Sequence, residues 1–252
     1  MNRGEMIRDS KIIVVPPIVL HPAQRLIDAS RARFNVVEAG IRFGKTEYEM
    51  VYLLKGAQKR PGSKNWAVFP FAKQGRSVLW NRLIWFLNNI KDKNGNPVKV
   101  IDGKPNKTFM DIPLINGSEI GIRGSDNEES LLGEKLGRVV MDEAARHKHY
   151  IWEEYLRGRL LDYRGDGLFI SSPIGQSWHH KLYEYAISGV DPEWAGFHFT
   201  TFDNPYMSRE ELANLQLTTP PRIWNRDYLA IAASDEGIVY SEYGKKNNFD
   251  SQ

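Results

Sequence analysis

The chain has 252 residues, of which 41% are hydrophobic, 12% aromatic and 26% charged, with a net charge of +3 and no cysteine. That length allows one large α/β domain or two small ones, and the aromatic share supplies ample core material. The missing cysteines exclude disulfides, thiolate zinc sites and cysteine nucleophiles, and a charge of +3 does not by itself announce nucleic acid. No run approaches the ~20 apolar residues of a membrane span, and residues 1–6 lack the apolar core of a secretory signal, so the expectation is a soluble enzyme working in a cytosol.

In chain order, the first clear element is a strand-like run over residues 34–38 that leads straight into a loop, Ala39 to Thr46, and then a helix-like stretch over 46–54. This is the layout of a phosphate-binding loop: successive backbone N–H groups and a helix N-terminus face the phosphates, a lysine neutralises charge and a hydroxyl ligates Mg²⁺. Gly44, Lys45 and Thr46 have the required types and spacing; the departure is Ala39 where the usual pattern opens with glycine, with Gly40 one place later. Residues 66–70 read as a short apolar strand, and 77–87 as a helix whose apolar stripe places Trp80 and Trp85 in the core. From 91 to 124 the chain breaks into short β-type runs separated by Asn-Gly and Asp-Gly turns, which predicts an antiparallel addition at one sheet edge. An acidic stretch over 124–130 reads as an exposed loop.

Residues 138–143 then give three apolar residues ending in Asp142 and Glu143, as a buried parallel strand does when it delivers carboxylates into a ligand crevice. Asp142 suits Mg²⁺ opposite Thr46, and Glu143 suits activation of a water for attack on a γ-phosphate, which favours hydrolysis over transfer. The competing reading makes both acids caps of the following helix. Residues 167–175 form another apolar strand ending in Ser171 and Ser172, hydroxyls placed to bond the γ-phosphate environment and Glu143 and to report nucleotide state; an ordinary Ser-Pro turn is the alternative. His147, His149, His179 and His180 complete no metal set and are expected at the surface. Ser208 caps a helix with Glu211 as its capping-box partner, and Pro220-Pro221 open another through Trp224 to Leu229. After Gly237 the chain turns polar and ends as a cut chain would. The alternation of strands and helices predicts an α/β fold with a mainly parallel sheet.

Taken in order, these pieces resemble the ATPase domain of a viral large terminase subunit, the motor that packages double-stranded DNA into a procapsid. The resemblance spans roughly residues 20 to 240 and is carried by His21-Pro22-Ala23-Gln24, the arginine-bearing loop, Val139-Val140-Met141-Asp142-Glu143-Ala144, Ile170-Ser171-Ser172-Pro173 and the aromatic Trp178-His179-His180 run. Asn204-Pro205, Tyr228-Leu229 and Glu236-Gly237-Ile238-Val239-Tyr240 look like the passage toward a second domain. It implies a P-loop NTPase of the RecA-like/ASCE type, a three-layer sandwich with an antiparallel edge and a small C-terminal helical lid. The corresponding division is an ATPase core over 1–205, a lid or linker over 206–240, and over 241–252 the start of a linker to a nuclease domain that this chain lacks, so that it alone should not cut DNA.

The resemblance further implies ATP and Mg²⁺ as cofactors. Gln24 would read the adenine edge; Gly40, Arg42, Gly44, Lys45 and Thr46 would hold nucleotide, with Thr46 and Asp142 on the metal. Glu143 would activate water, Arg42 would stabilise transition-state charge, and Ser171 and Ser172 would couple hydrolysis to movement. Such motors also use an arginine from a neighbouring subunit, for which Arg123 and Arg138 are the nearest options. Implied partners are double-stranded DNA, further copies in a ring that is five-membered on the procapsid, the portal protein and the small terminase subunit, with no membrane, in the host cytoplasm at the procapsid portal. Two other readings remain open: a nucleotide-gated assembly or binding module with weak hydrolysis, and another P-loop DNA translocase or helicase.

Overall fold

The computed structural model of the protein describes residues 14–232. Its strands are β1 (Val14–Val15), β2 (Phe34–Ala39), β3 (Lys64–Phe69), β4 (Lys91–Asp92), β5 (Asp111–Pro113), β6 (Glu119–Gly124), β7 (Leu136–Asp142), β8 (Asp166–Ser171) and β9 (Trp194–Phe199). The helices are α1 (Pro22–Asp28), α2 (Lys45–Lys59), α3 (Ala72–Gly75), α4 (Asn81–Asn88), α5 (Trp178–Ile187), α6 (Arg209–Thr218) and α7 (Pro221–Ile223). Seven strands form one sheet in the order β5-β6-β3-β7-β8-β2-β9, while β1 and β4 pair as a separate ribbon. Every neighbouring pair in the large sheet is parallel except β5 with β6.

Strands buried on both faces read as continuous apolar runs, and β7 is buried along its whole length. Because successive side chains point to opposite faces, each strand feeds two cores. Val36, Trp66, Val139, Met141 and Phe169 pack on one side with Trp152, Leu156 and Leu160 from the helical stretch after β7. Val37, Ala67, Val140, Leu168 and Ile170 pack on the other with Leu53 of α2 and Leu83 and Phe86 of α4. The result is three layers. Trp152 anchors the first core, with ring centroids 4.7 Å from Phe169 and 5.5 Å from Phe34; truncating a buried aromatic of this kind costs about 3–5 kcal/mol.

The structure revises several expectations. In the 91–124 region β5 is the antiparallel edge of the main sheet and β4 pairs antiparallel with β1 outside it, whereas a turn with Gly117 at φ 78° reverses the chain, so β6 returns parallel to β3 and joins the main sheet. Trp80 is buried, but Trp85 is 55% exposed, because five residues along a helix turn a side chain by roughly 140°. The acidic stretch is tied down: Asp126 Oδ1 accepts the Ala72 N–H at 3.0 Å, and the Glu128 carboxylate accepts hydrogen bonds from the hydroxyls of Tyr155, at 3.0 Å, and Tyr150. At the tail, Ser208 accepts from the Glu211 N–H at 3.2 Å and Pro221 opens α7, which continues as a π-helical turn over Trp224–Tyr228. The Glu236–Tyr240 pattern and the 241–252 linker lie outside the described residues.

Candidate functional site

The loop between β2 and α2 is held from the C-terminal side of the chain. Gly40 N–H donates to the Phe199 carbonyl at 3.0 Å and Ile41 N–H to the Asp227 carbonyl at 2.7 Å. Thr201 Oγ1 donates to the Ile41 carbonyl at 2.7 Å, and Asn204 Nδ2 to the Arg42 carbonyl at 2.6 Å. These contacts explain the shifted glycine. A Cβ at position 40 would stand 2.6 Å from the Tyr228 carbonyl oxygen and 2.8 Å from the Thr201 nitrogen, whereas Ala39 still lies in the strand with its methyl in the core. The backbone passage that excludes a side chain is at 40. Arg42 follows in the left-handed region at φ 60°, a conformation that costs a non-glycine residue roughly 1 kcal/mol, and its side chain is exposed.

Gly44, at φ 98°, starts α2 without a capping side chain. The first N–H bonded back to the loop is Tyr48 to the Gly44 carbonyl at 3.1 Å, so those of Lys45, Thr46 and Glu47 have no intrahelical acceptor. An uncapped helix start of this kind is an anion site. Lys45 Nζ curls back to the carbonyls of Ala39 at 3.1 Å and Gly40 at 3.0 Å and to Ser172 Oγ at 3.2 Å. Burial holds its pKa below the ordinary lysine value, against the opposing pull of Glu143 and Asp142. A cavity of about 420 Å³ opens here, lined by Gln24, Arg42, Lys45, Thr46, Arg82 and Tyr206 among others.

Sheet order brings the acids to this cradle. β8 lies between β2 and β7, so Asp142 ends a strand roughly 10 Å from the loop strand with the two serines between them. Asp142 is buried, which pushes its carboxyl up to about 6, with the charge of Glu143 adding to the effect. Its Oδ1 accepts the Glu143 N–H at 2.9 Å. Glu143 itself is left-handed, φ 51°, and its carboxylate is a quarter exposed, with Arg146 Nε at 3.4 Å. The Asp142 carbonyl receives Nε2–H of His147 at 2.9 Å, and His147 Nδ1 accepts from the Ser125 hydroxyl at 2.8 Å. That arrangement requires the neutral ring, and burial lowers its pKa to about 4.

A residue that sequence reasoning missed completes the acid cluster. Glu49, one helical turn beyond Lys45, is fully buried with neither carboxyl oxygen hydrogen-bonded. Burial, then the neighbouring Asp142, raises its pKa well above the usual range. The i to i+4 spacing from Lys45 was the available signal, since it sets both side chains on one helix face. Lys45 is thus pulled by Glu143, Asp142 and Glu49 together, with Glu143 the largest of the three. Among the described residues no group of three or more His, Cys, Asp or Glu side chains forms a metal-holding set. Asp142 ends the buried carboxylate strand and Thr46 lines the cavity, and a carboxylate and a hydroxyl are oxygen donors of the kind Mg²⁺ takes, an ion that keeps most of its shell as water and phosphate oxygen.

Other expected residues stand differently. Gln24 is buried, with Nε2 donating to the Gly44 carbonyl at 2.8 Å, which braces the loop, and Oε1 accepting the His21 N–H at 3.0 Å, which closes the start of α1. Ser172 Oγ donates to the Ala39 carbonyl at 3.0 Å and Ser171 Oγ to the Ser172 carbonyl at 2.8 Å; neither bonds Glu143. Arg123 is paired with Asp111 at 2.7 Å beneath the Trp66 ring, and Arg138 is buried at the opposite end of β7 on Asp166 at 2.6 Å, so neither is displayed to a neighbour. His147 and His179 are buried, not on the surface, His149 is exposed, and His180 Nδ1 reaches Glu38 at 2.9 Å. Thr201 and Asp227, which grip the loop by side chain and carbonyl, carry no motif that would have marked them.

No protein-family model matches the chain. The large terminase subunit of Thermus phage G20c is 23% identical over 244 residues, a match covering 88% of this chain and 50% of that protein. The ATPase domain of the Thermus phage P74-26 large terminase superposes with a TM-score of 0.71 at 21% identity, covering 85% of this chain and 94% of that domain. This chain has the fold of a phage large terminase ATPase domain. The large terminase of another thermophilic bacteriophage, in complex with ADP, matches with a TM-score of 0.67 at 16% identity over 85% of this chain and 54% of that one. The chain spans about half the length of the curated large terminase subunits it matches over 244 residues. At these identities the likeness to the terminase structures speaks for architecture, including the mostly parallel sheet with its antiparallel edge.

Proposed function

We propose that the chain is the ATP-hydrolysing motor part of a phage large terminase subunit, which drives double-stranded DNA into a procapsid. The observation that carries this reading is the convergence, on the terminase fold, of an uncapped helix start and Lys45 with a buried carboxylate strand across one intervening strand. The N–H groups of residues 45–47 and the Lys45 ammonium bind the β- and γ-phosphates, and Lys45 exchanges its loop carbonyls for phosphate oxygens on binding. Thr46 and Asp142 hold Mg²⁺, which when bound neutralises phosphate charge and polarises the phosphoryl group. Glu143, the more exposed acid, takes a proton from the attacking water. Arg42, exposed at the cavity rim, offers charge to the transition state. Gln24 braces the loop and borders the base.

Ser172 touches both Lys45 and the end of β2, so a change at the γ-phosphate is transmitted along β8; Ser171 supports that turn. The ADP complex of the thermophilic phage's large terminase supports the nucleotide assignment. Of the described residues, those to about 205 form the ATPase core and those from 206 to 232 a lid and linker. The motor works as a ring on the procapsid portal in the host cytoplasm, with the portal protein, the small terminase subunit and the DNA as partners; no helix among the described residues is long and apolar enough to cross a membrane. Steady-state ATP hydrolysis over a wide range of protein concentration, wild type beside Glu143→Gln, tests the reading. Activity that rises faster than linearly and is absent in the variant is expected of a site completed between subunits. Equal hydrolysis by the variant overturns the role of Glu143, and nucleotide binding without turnover in either protein overturns the motor in favour of a nucleotide-gated module.

A further inference from the structure

The wall of the nucleotide cavity is of two kinds. Lys45, Thr46 and the free N–H groups that open α2 offer phosphate chemistry, whereas Ile18 and Val19, ahead of α1, and Tyr206 and Met207, beyond β9, offer apolar and aromatic surface. Tyr206 is 70% exposed and Val19 71%. The nearby aromatics Phe202, Trp224 and Tyr228 pack on one another, and Tyr206 stays outside that stack beside the cavity. Its place is fixed from the loop: Asn204 Nδ2 donates to the Arg42 carbonyl at 2.6 Å, and Asn204 Oδ1 accepts the Tyr206 N–H at 3.0 Å. One amide therefore ties the exposed tyrosine to the phosphate loop.

A base is read at its edge by side chains that donate and accept, and those of this wall face elsewhere. Apart from Thr46 and Tyr206, the neutral ones are His21, Gln24 and Asn204, and all three are buried. His21 Nε2 donates to the Phe43 carbonyl at 2.9 Å and Gln24 Nε2 to the Gly44 carbonyl at 2.8 Å, while the His21 N–H occupies Gln24 Oε1 at 3.0 Å. Glu47 is paired with Arg82. We infer that the base is held by its face and not read at its edge: it stacks on Tyr206, with Val19 and Met207 as apolar surround, so the site takes purine nucleoside triphosphates as a class and does not select adenine. This rests on the nucleotide site proposed above. Stacking tolerates any base because each has a π-face. Apolar contact separates similar ligands by only about 10–200-fold, whereas a site built to hydrogen-bond its ligand rejects the wrong one by roughly 10⁴–10⁵-fold.

ATP, GTP and inorganic triphosphate, each with Mg²⁺, are titrated into the full chain by isothermal calorimetry, wild type beside Tyr206→Ala and Tyr206→Trp. ATP and GTP affinities within about tenfold of each other are expected. Tyr206→Ala is expected to weaken both by about tenfold and to leave inorganic triphosphate, which has no base, unchanged; Tyr206→Trp is expected to keep nucleotide affinity. Tyr206 is exposed, so neither change empties the core. The inference is overturned by ATP binding more than ~200-fold tighter than GTP, or by wild-type ATP affinity in Tyr206→Ala. An equal loss for inorganic triphosphate in Tyr206→Ala also overturns it and makes the tyrosine a support of the loop. Where triphosphate still binds the wild type, these results remove the base assignment alone and leave the phosphate cradle standing. Absence of binding by triphosphate and both nucleotides removes the nucleotide site itself, and this inference with it.

Discussion

The position of the loop glycine gives a sharp test, because two single substitutions pull in opposite directions. Gly40→Ala places a methyl 2.6 Å from the Tyr228 carbonyl oxygen and 2.8 Å from the Thr201 nitrogen, both backbone atoms that cannot rotate away. Relief requires a shift of about 0.8 Å, enough to stretch the bonds from Ile41 to Asp227 and from Thr201 to Ile41. Losing both at ~1 kcal/mol each, with overpacking of similar size, puts the cost near 3 kcal/mol. Much of it falls on the loop, so ATP affinity is expected to drop at least about tenfold. Ala39→Gly instead removes one buried methyl, ~0.8 kcal/mol, and loosens a strand by ~0.5–1 kcal/mol. It lowers Tm by roughly 3–6 °C and leaves ATP affinity within about twofold. Fluorescent-nucleotide titration and thermal unfolding of both variants give the answer. Wild-type affinity in Gly40→Ala together with lost affinity in Ala39→Gly would refute the account of why the glycine moved.

Lys45→Ala is expected to weaken nucleotide binding itself, and unchanged ATP affinity would count against the cradle. In Asp166, burial pushes the carboxyl up but the hydrogen bonds and charges of Arg60 and Arg138 outweigh it and hold the pKa far below the ordinary range. Asp166→Asn therefore strands Arg138 in the interior; a loss of about 3 kcal/mol, or roughly 6–12 °C in Tm, is expected, and an unchanged melting curve would contradict it. Burial lowers both His147 and His179 from 6.5 to about 4. Between those values the unfolded chain binds protons that the folded rings refuse, so stability falls as pH drops from 6.5 to 4, by up to roughly 3 kcal/mol per ring. Urea unfolding at pH 7.5, 5.5 and 4.5 measures this, and a flat profile would refute neutral burial.

What was legible in the sequence was whatever local pattern alone dictates. The run before Ala39 and the run before Asp142 read as buried parallel strands, and GKT after the first as the start of a helix. Their meeting followed from alternation of strands and helices, which imposes the α/β sandwich. Long-range packing was not legible. Nothing near His147 in sequence says that it will bond the Asp142 carbonyl from inside the fold, and His179 is buried while its neighbour His180 turns to Glu38. Charge type misled at Arg138, where a plausible donor to a neighbouring subunit is consumed by Asp166 at the far end of its own strand. Glu49 was hidden for the opposite reason: an acid in the first turns of a helix reads as a solvated residue until the facing strand is known to carry Asp142.

The grip on the phosphate loop makes the C-terminal turn part of the chemistry. Ile41 hangs its N–H on Asp227, and the Tyr228 carbonyl presses against Gly40, so the Trp224–Tyr228 turn and the loop share one surface. A tug on that turn would reach the atoms cradling the nucleotide within two hydrogen bonds, with no helix or sheet in between to absorb it. Load would then be felt as a change in nucleotide affinity before it is felt as any change of shape, and the same short linkage run backwards would let phosphate release slacken the tail.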